Sequence, residues 1–300
     1  MSIALRIAIL AAFTGTAAVQ IAEPEKQEVL IVSGQNNHDW ERTVPHLENA
    51  LLDADLFNVT VSLTPSKGAE GKAWVDWAPD FSAYDVVLLA YNGDMWPENV
   101  RISFEDYISG GGTAIVQHAA NNPFHGWEAY EQMVGLLWRR NDGGYGAYWD
   151  DEEGVIRVPP GEGKGAGHGR LHDWQITVRD ATHPVMAGMP PAWLHPHDEL
   201  YHGQRGPADG MHVLATAWSD PESGGTGNHE LMVWWTSYGE GKVLTLLPGH
   251  LWSGQEDDRA LRCLGFRSLL QRSAEWLATG EVTVPLPANF PTAETAVWTE

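Results

Sequence analysis

Short apolar runs that alternate with amphipathic segments constrain the fold of this chain more than any other feature of its sequence. Residues 29–32 form an uninterrupted apolar run that ends at Ser33-Gly34, a pattern typical of a strand buried on both faces of a parallel sheet. Thr43 as an N-cap and Pro45 in the first turn then predict a helix. The later elements of this half are a predicted helix over 98–109 and predicted strands at 57–63, 86–91 and 113–117. Repeated strand–helix–strand units predict a doubly wound, mainly parallel α/β sheet.

The second half of the chain interrupts this alternation. Residues 139–170 are rich in glycine and contain an acidic run, and we interpret them as an insertion loop. Further strands are predicted near 174–178, 213–217, 231–236 and 243–247. A long amphipathic helix is predicted over 258–278, ending at Gly280. The pattern predicts one domain over residues 28–291, followed by a tail at 292–300.

The charge of the chain narrows the classes of partner. Its 300 residues include 18 Lys and Arg against 40 Asp and Glu, a formal net charge of −22, and contain no run of basic residues. Such a chain repels phosphate backbones and anionic lipid, so nucleic acid and membrane surfaces are disfavoured as partners. The sequence has no G-x-x-x-x-G-K-[ST] and no G-x-G-x-x-G after the first strand, which disfavours a nucleotide cofactor.

Other residue counts exclude or favour particular chemistries. Cys263 is the only cysteine, which excludes an internal disulfide, a cysteine-based zinc site and an iron–sulfur cluster. No G-x-S-x-G motif is present, so a nucleophilic serine of the α/β-hydrolase type is not indicated. Fifteen tryptophans favour a carbohydrate ligand, because indoles stack on sugar rings, although most tryptophans in any fold pack in the core.

The N-terminus resembles a targeting signal. Arg6 precedes an apolar run over residues 7–13 and small residues at 16–18, which predicts a secretory signal peptide over residues 1–22. The run is too short for a transmembrane anchor. We therefore expect a periplasmic or secreted protein, and the alternative is a disordered extension of a cytoplasmic one.

Histidines follow three of the predicted strands. His38, His118 and His250 each lie in the loop after a strand, where sheets of this type bind their ligands. If the three loops meet at one edge, these histidines and nearby carboxylates predict a site for a divalent transition metal such as zinc or manganese. The alternative is that each histidine is a hydrogen-bonded structural residue.

The middle of the chain supplies carboxylates. Asp198 and Glu199 are neighbours, and in an extended segment their side chains point to opposite faces, so one of them is expected to face the site. Glu199 would then act as a general acid or base or as a metal ligand, whereas the alternative is a solvated loop carboxylate. Residues 228–230 are interpreted as hairpin surface.

Several motifs recur along the chain in a recognisable order. They are SGQNNHDW at 33–40, HAANNPFHGW at 118–127, GHG at 167–169, HP at 183–184, DELY at 198–201, VLATA at 213–217, PGH at 248–250 and EWLATG at 275–280. From about residue 28 to residue 291 the chain resembles the trehalose-utilisation (ThuA-like) family. This family is similar in fold to class I glutamine amidotransferases, so the resemblance implies a flavodoxin-like sheet with the active site at the strand ends.

The resemblance also implies a role in sugar catabolism. Members are linked to the use of trehalose and related disaccharides through 3-keto-glycosides, whose keto sugar is made by a partner sugar 3-dehydrogenase. Where amidotransferases carry the catalytic cysteine this chain has His118, so amide transfer from glutamine is not expected. The implied reaction is metal-assisted cleavage of a 3-keto-glycoside, by elimination or hydrolysis, because a polarised C3 carbonyl acidifies the C2 hydrogen.

This chemistry assigns a role to each candidate residue. The candidate catalytic residues are Glu199, His168 and His118, and the candidate metal ligands are His38, His118 and His250. The candidate sugar contacts are Asn37, Trp40, Asn121, Trp127, Asp198 and Tyr201. The alternative functions are a non-catalytic carbohydrate-binding module on the same fold and a scaffold that binds a dehydrogenase, and the oligomeric state is left open.

Overall fold

The apolar run at residues 29–32 forms the centre of the first strand, and its side chains alternate between the two faces of a sheet. Val29 and Ile31 pack on one face and Leu30 and Val32 on the other, and all four are at most 1% exposed. The structure, a computed structural model, describes residues 25–300. The signal peptide predicted over residues 1–22 therefore lies outside the described residues.

Within residues 25–300 the chain forms fourteen strands and six α-helices. The strands are β1 (Gln27–Ser33), β2 (Phe57–Leu63), β3 (Val86–Leu89), β4 (Thr113–Gln117), β5 (Tyr145–Asp150), β6 (Gly154–Val158), β7 (Gly167–His168), β8 (His172–Val178), β9 (Ala192–Asp198), β10 (Tyr201–His202), β11 (Arg205–Gly206), β12 (His212–Trp218), β13 (His229–Tyr238) and β14 (Gly241–Leu246). The helices are α1 (Trp40–Leu52), α2 (Lys72–Val75), α3 (Glu98–Ser109), α4 (Glu128–Val134), α5 (Arg259–Arg262) and α6 (Leu264–Thr279). Short 3-10 helices lie at Phe81–Ala83, His118–Asn121 and Pro221–Ser223. None of the described helices has the length and apolar character needed to cross a membrane.

The main sheet consists of a parallel half and an antiparallel half. The parallel half has the order β2-β1-β3-β4-β14, and each neighbouring pair in it is parallel. This is the flavodoxin-like order, so the fold class predicted from the sequence is confirmed. The sheet continues through β13, β12, β8 and β9, which are antiparallel to their neighbours.

Helices cover both faces of the parallel half. On the face of Val29, α1 and α6 contribute Leu47 and Leu269 to the core. On the opposite face, α3 and α4 contribute Phe104 and Tyr130. Because both faces are covered, the carboxyl ends of the strands are the place where connecting loops can form a pocket.

The segment at 139–170, predicted as a loop, folds instead as the β5–β6 hairpin and the short strand β7. β5 pairs with β6, β11 and β13, which makes the hairpin part of the main sheet. Its glycines permit close backbone contact: a Cβ at Gly144 would lie 2.5 Å from the carbonyl oxygen of Gly206, and one at Gly165 would lie 2.6 Å from the amide of Asn141. The glycines that suggested a loop are therefore positions of close packing.

The first helix begins four residues earlier than predicted. Asp39, not Thr43, is the N-cap of α1, because its side chain accepts a hydrogen bond from the amide of Arg42 at 3.3 Å. Pro45 consequently lies inside the helix rather than in its first turn.

The helix predicted over 258–278 is divided at Cys263. This residue has an extended backbone, with ψ of 127°, and forms a β-bridge with Trp298 of the C-terminal tail. The break separates α5 from α6, and α6 ends at Gly280 in a left-handed C-cap, as predicted.

Candidate active site

Loops at the strand ends bring three histidines around one carboxylate. His38 follows β1, His118 follows β4 and His250 follows β14, while Glu199 is the residue directly after β9. Glu199 is 2% exposed, and its carboxylate oxygens lie 3.7 Å from His38 Nε2, 3.5 Å from His118 Nε2 and 3.6 Å from His250 Nε2. We refer to these four residues as the histidine–carboxylate cluster.

Hydrogen bonds on the far side of the rings fix the orientation of two imidazoles. His118 Nδ1 lies 2.6 Å from the carbonyl oxygen of Leu247, and His38 Nδ1 lies 3.2 Å from the side-chain oxygen of Asn37. Because an amide oxygen only accepts, each Nδ1 donates, and each Nε2 presents its lone pair toward Glu199. Metal-binding histidines are commonly held by an outer hydrogen bond of this kind.

The backbone at His118 is strained. Its φ of 45° lies in the left-handed region, which costs a non-glycine residue roughly 1–3 kcal/mol. The chain turns there from β4 directly into the 3-10 helix His118–Asn121, and this turn places the imidazole beside Glu199. Strain that the surrounding structure maintains is concentrated at functional sites.

Burial keeps the imidazoles of His38 and His250 neutral near pH 7. It lowers the pKa of His38 to about 4 and the pKa of His250 to about 3. The neutral imidazoles of His38 and His250 are in the protonation state that binds a metal ion.

Four potential metal-binding atoms of the cluster have no hydrogen-bond partner within residues 25–300. These buried atoms are Nε2 of His38, His118 and His250 and Oε2 of Glu199. Donor atoms of His38, Glu199 and His250 all lie within 4.8 Å of one another. Two ligands at about 2.0–2.1 Å from a tetrahedral ion are roughly 3.3 Å apart, which is close to the observed separations of 3.5–3.7 Å. The residues therefore fit a divalent transition metal.

A cavity of about 120 Å³ opens beside the cluster. Its lining residues are Asn37, His38, Asn122, Trp138, His168, Glu199, Tyr201 and Trp252. Trp252 donates from Nε1 to Glu199 Oε1 at 2.9 Å and stacks on His38 with ring centroids 4.3 Å apart. Trp138 and Tyr201 pack edge to face at 4.5 Å. The cavity thus combines aromatic surfaces with amide and imidazole groups, a combination that suits a sugar.

His168 lies at the accessible side of this cavity. Its Nδ1 is 2.7 Å from the carbonyl oxygen of Gly169, its Nε2 is 3.2 Å from Glu199 Oε1, and 34% of its side chain is exposed. β7, which contains His168, pairs with β10, which contains Tyr201. Arg205 anchors the preceding segment, because its guanidinium donates to four backbone carbonyls between residues 158 and 164 while the residue is 1% exposed.

Three predicted sugar contacts are not among the residues that line the cavity. Trp127 is 3% exposed and stacks on Tyr130 in the core. Trp40 packs against the core at the start of α1. Asp198 is fully buried beneath the cluster, because it ends β9 with its side chain on the face opposite to that of Glu199.

Asn121 is a fourth predicted contact that does not line the cavity, and three lining residues were not predicted. Asn121 is fully buried and donates to the side chain of Gln204, whereas its neighbour Asn122 lines the cavity. Trp252 could have been found from its position two residues after His250 in the same loop. Trp138 carries no comparable signal, since it follows no predicted strand and lies directly before the segment interpreted as an insertion.

Residues 228–230, predicted as hairpin surface, contain a buried carboxylate. Glu230 lies in β13, is 4% exposed, and accepts hydrogen bonds from the amide of Gly203 at 3.1 Å and the hydroxyl of Thr226 at 2.6 Å. Burial raises the pKa of Glu230 to about 7. Gly203 lies between Tyr201 and Arg205, so Glu230 supports the segment behind the cavity.

The fold and the strand-end site define a known class of protein. Residues 28–276 match the family described as trehalose utilisation (ThuA). The chain therefore belongs to the ThuA family, which supports a carbohydrate-related role.

Solved structures show the same relationship. A ThuA-like protein from Parabacteroides merdae ATCC 43184 is 36% identical, with a TM-score of 0.86 and coverage of 92% of this chain and 98% of that chain. A ThuA-like protein from Bacteroides uniformis ATCC 8492 is 16% identical, with a TM-score of 0.56 and coverage of 91% and 97%, and it shares the fold. No curated protein sequence matches the chain significantly.

Proposed function

We propose that the protein is a metal-dependent enzyme that cleaves 3-keto-glycosides. The observation that carries the proposal is the set of buried donor atoms in the histidine–carboxylate cluster that face one another without hydrogen-bond partners. A buried polar atom without a partner costs roughly 1–3 kcal/mol. A cluster of such atoms is therefore costly unless it binds a cation.

His38, His250 and Glu199 would hold the ion, and His118 would complete the set from its strained turn. Neutral imidazoles with one carboxylate suit zinc or manganese. The described side chains within ion-pair distance of Glu199 are histidines, and neither a lysine nor an arginine is among them. A bound cation would therefore also compensate the buried negative charge of Glu199. This geometry favours Glu199 as a ligand rather than as the general base.

The cavity supports a sugar ring as the substrate. Trp138, Tyr201 and Trp252 offer aromatic surfaces, and the amides of Asn37 and Asn122 can bind hydroxyl groups. A cavity of about 120 Å³ is small compared with typical ligand pockets, so we expect one ring inside and the leaving group outside. Membership of a trehalose-utilisation family supports a disaccharide or glucoside as the source of that ring, oxidised at C3 by a sugar 3-dehydrogenase.

A divalent ion at the cluster would polarise the C3 carbonyl of the oxidised ring and so acidify the hydrogen at C2. His168 takes that proton at Nε2, and Glu199 Oε1, 3.2 Å away, stabilises the resulting imidazolium. The electron pair left at C2 forms a C1=C2 double bond while the C1–O bond breaks with its own electron pair on oxygen, and His168 returns the proton to that oxygen. Glu199 is the one carboxylate among the described residues that line the cavity, whereas an ordinary glycosidase uses two carboxylates roughly 5–10 Å apart.

The direct test uses trehalose and 3-keto-trehalose as matched substrates, each with and without a chelator, on protein purified without a histidine tag. We expect cleavage of the keto substrate alone, loss of activity with the chelator, recovery with zinc or manganese, and deuterium exchange at C2. Rapid cleavage of trehalose that chelation leaves unchanged would refute the proposal. Tight sugar binding without turnover would identify a carbohydrate-binding module instead.

A pair of histidine variants adds a control for metal binding. H118A should reduce metal content and turnover at least about tenfold, as loss of a ligand does, with little loss of stability. H125A removes an exposed histidine outside the cluster and should leave both unchanged. An H118A variant that keeps full metal content and activity would show that the cluster is not the site.

A further inference from the structure

The carboxylate of Asp198 accepts four hydrogen bonds beneath the histidine–carboxylate cluster. Oδ1 accepts from the amide of Glu199 at 2.8 Å and from the amide of His250 at 3.1 Å. Oδ2 accepts from the amide of Gly249 at 2.7 Å and from His195 Nε2 at 2.6 Å. Asp198 and His195 are both 0% exposed, so neither contacts a substrate in the cavity.

These hydrogen bonds join two parts of the chain that the sheet keeps apart. Glu199 follows β9, which is an edge strand, whereas His250 follows β14 in the parallel half, and β13, β12 and β8 lie between the two strands. The distance of 3.6 Å from Glu199 to His250 therefore depends on contacts outside strand pairing. Asp198 supplies such contacts, because one carboxylate holds the backbone of both residues.

His195 balances the charge of this carboxylate. Burial opposes protonation of His195, but the hydrogen bond to Asp198 outweighs it and raises the pKa of His195 to about 9. His195 therefore places a positive charge 2.6 Å from the Asp198 carboxylate.

We infer that Asp198 and His195 are positioning residues that fix the distance between Glu199 and His250 and thereby set the metal affinity of the cluster. The inference rests on the proposed function and extends it to residues that touch neither ion nor substrate. In D198N the new amide NH₂ faces an N–H donor, so at least one of the four hydrogen bonds is lost. Loss of an outer hydrogen bond to a metal ligand typically weakens metal binding about 10–100-fold.

The test compares Co²⁺ binding by D198N, H195Q and E275Q, titrated into metal-free protein and followed by visible absorption. Glu275 provides the matched control, because its buried carboxylate accepts three hydrogen bonds from Thr283 and Val284, after α6. We expect D198N to bind about 10–100-fold more weakly with displaced absorption bands, H195Q to be intermediate, and E275Q to match the wild type. Wild-type affinity and bands in D198N would overturn the inference.

A second measurement needs no metal and separates the two proposals. In ¹⁵N-labelled metal-free protein, the side-chain resonances of His250 should shift in D198N and H195Q and stay in place in E275Q. A wild type that binds no Co²⁺ would count against the proposed function alone, whereas unchanged His250 resonances in folded D198N would overturn the positioning role. If D198N does not fold, Co²⁺ binding and the His250 resonances are measured in H195Q instead. Wild-type values of both in H195Q would overturn the inference.

Discussion

Glutamine in place of Glu230 tests the carboxylate buried behind the cavity through the pH dependence of stability. Burial raises the pKa of Glu230 to about 7, against 4.5 for an ordinary glutamate. Below pH 4.5 the group is protonated in both the folded and the unfolded state and costs nothing. Between these values only the unfolded chain releases its proton, so the free energy of unfolding falls as the pH rises. Above pH 7 the full cost, about 3 kcal/mol, is present.

The E230Q variant avoids this cost and can keep both hydrogen bonds. The glutamine oxygen accepts from the amide of Gly203, and its NH₂ donates to the hydroxyl of Thr226, which can accept as well as donate. We therefore expect E230Q to match the wild type near pH 5 and to exceed its stability by about 3 kcal/mol at pH 8.

Urea unfolding at pH 5, 6, 7 and 8, followed by tryptophan fluorescence, measures this difference. T226V provides a second test, because it removes a hydrogen bond that lowers the pKa of Glu230. The pKa of Glu230 should therefore be higher in T226V than in the wild type. The destabilisation caused by ionised Glu230 should then continue to increase above pH 7 in this variant. In the E230Q background, the effect of T226V on the free energy of unfolding should not change with pH. A stability difference between E230Q and the wild type that does not change with pH would refute the reasoning, as would a less stable E230Q at pH 8.

Three further predictions concern the cavity and its supports. R205A removes hydrogen bonds to four backbone carbonyls, each worth about 1 kcal/mol. Amide hydrogen exchange over residues 158–164 should therefore become at least about 100-fold faster, while the amides of β1 keep their protection. W138A should lower kcat/KM for a keto-glycoside about tenfold, whereas W127F should lower Tm and leave kcat/KM within about twofold. The opposite pattern would show that Trp127 contacts the substrate and that Trp138 is a core residue. C263S should leave activity within a few fold and cost about 1 kcal/mol in urea unfolding, and complete loss of activity in a folded C263S would show that the thiol is functional.

The parallel half of the fold could be predicted because its strands are buried on both faces. The elements at 57–63, 98–109 and 113–117 have the predicted boundaries, since apolar runs bounded by glycine or polar residues depend on local sequence. β9 could not be predicted, because Ala192–Asp198 contains two histidines, a proline and an aspartate. These residues are compatible with a strand only through tertiary partners, such as the amides of Gly249 and His250, which donate to Asp198.

The location of the candidate site could also be predicted, but its lining could not. The carboxyl ends of parallel strands meet at one edge, so His38, His118 and His250 converge there whatever their exact loop conformations. Tryptophan richness was a poor guide to individual contacts, because composition does not reveal exposure. Trp127 is buried in the core, whereas Trp138 reaches the cavity from a segment whose path depends on long-range contacts.

The position of β14 affects the order in which the protein can be assembled during synthesis. This strand, one of the last elements in the chain, pairs with β4 on one side and β13 on the other, in the middle of the sheet. Until it emerges from the ribosome, β4 presents an unpaired edge made of an apolar segment, which is the kind of edge that recruits other chains. The nascent protein therefore has its longest exposure to aggregation between residues 117 and 241, and a chaperone that covers β4 during this interval would raise the yield of folded protein.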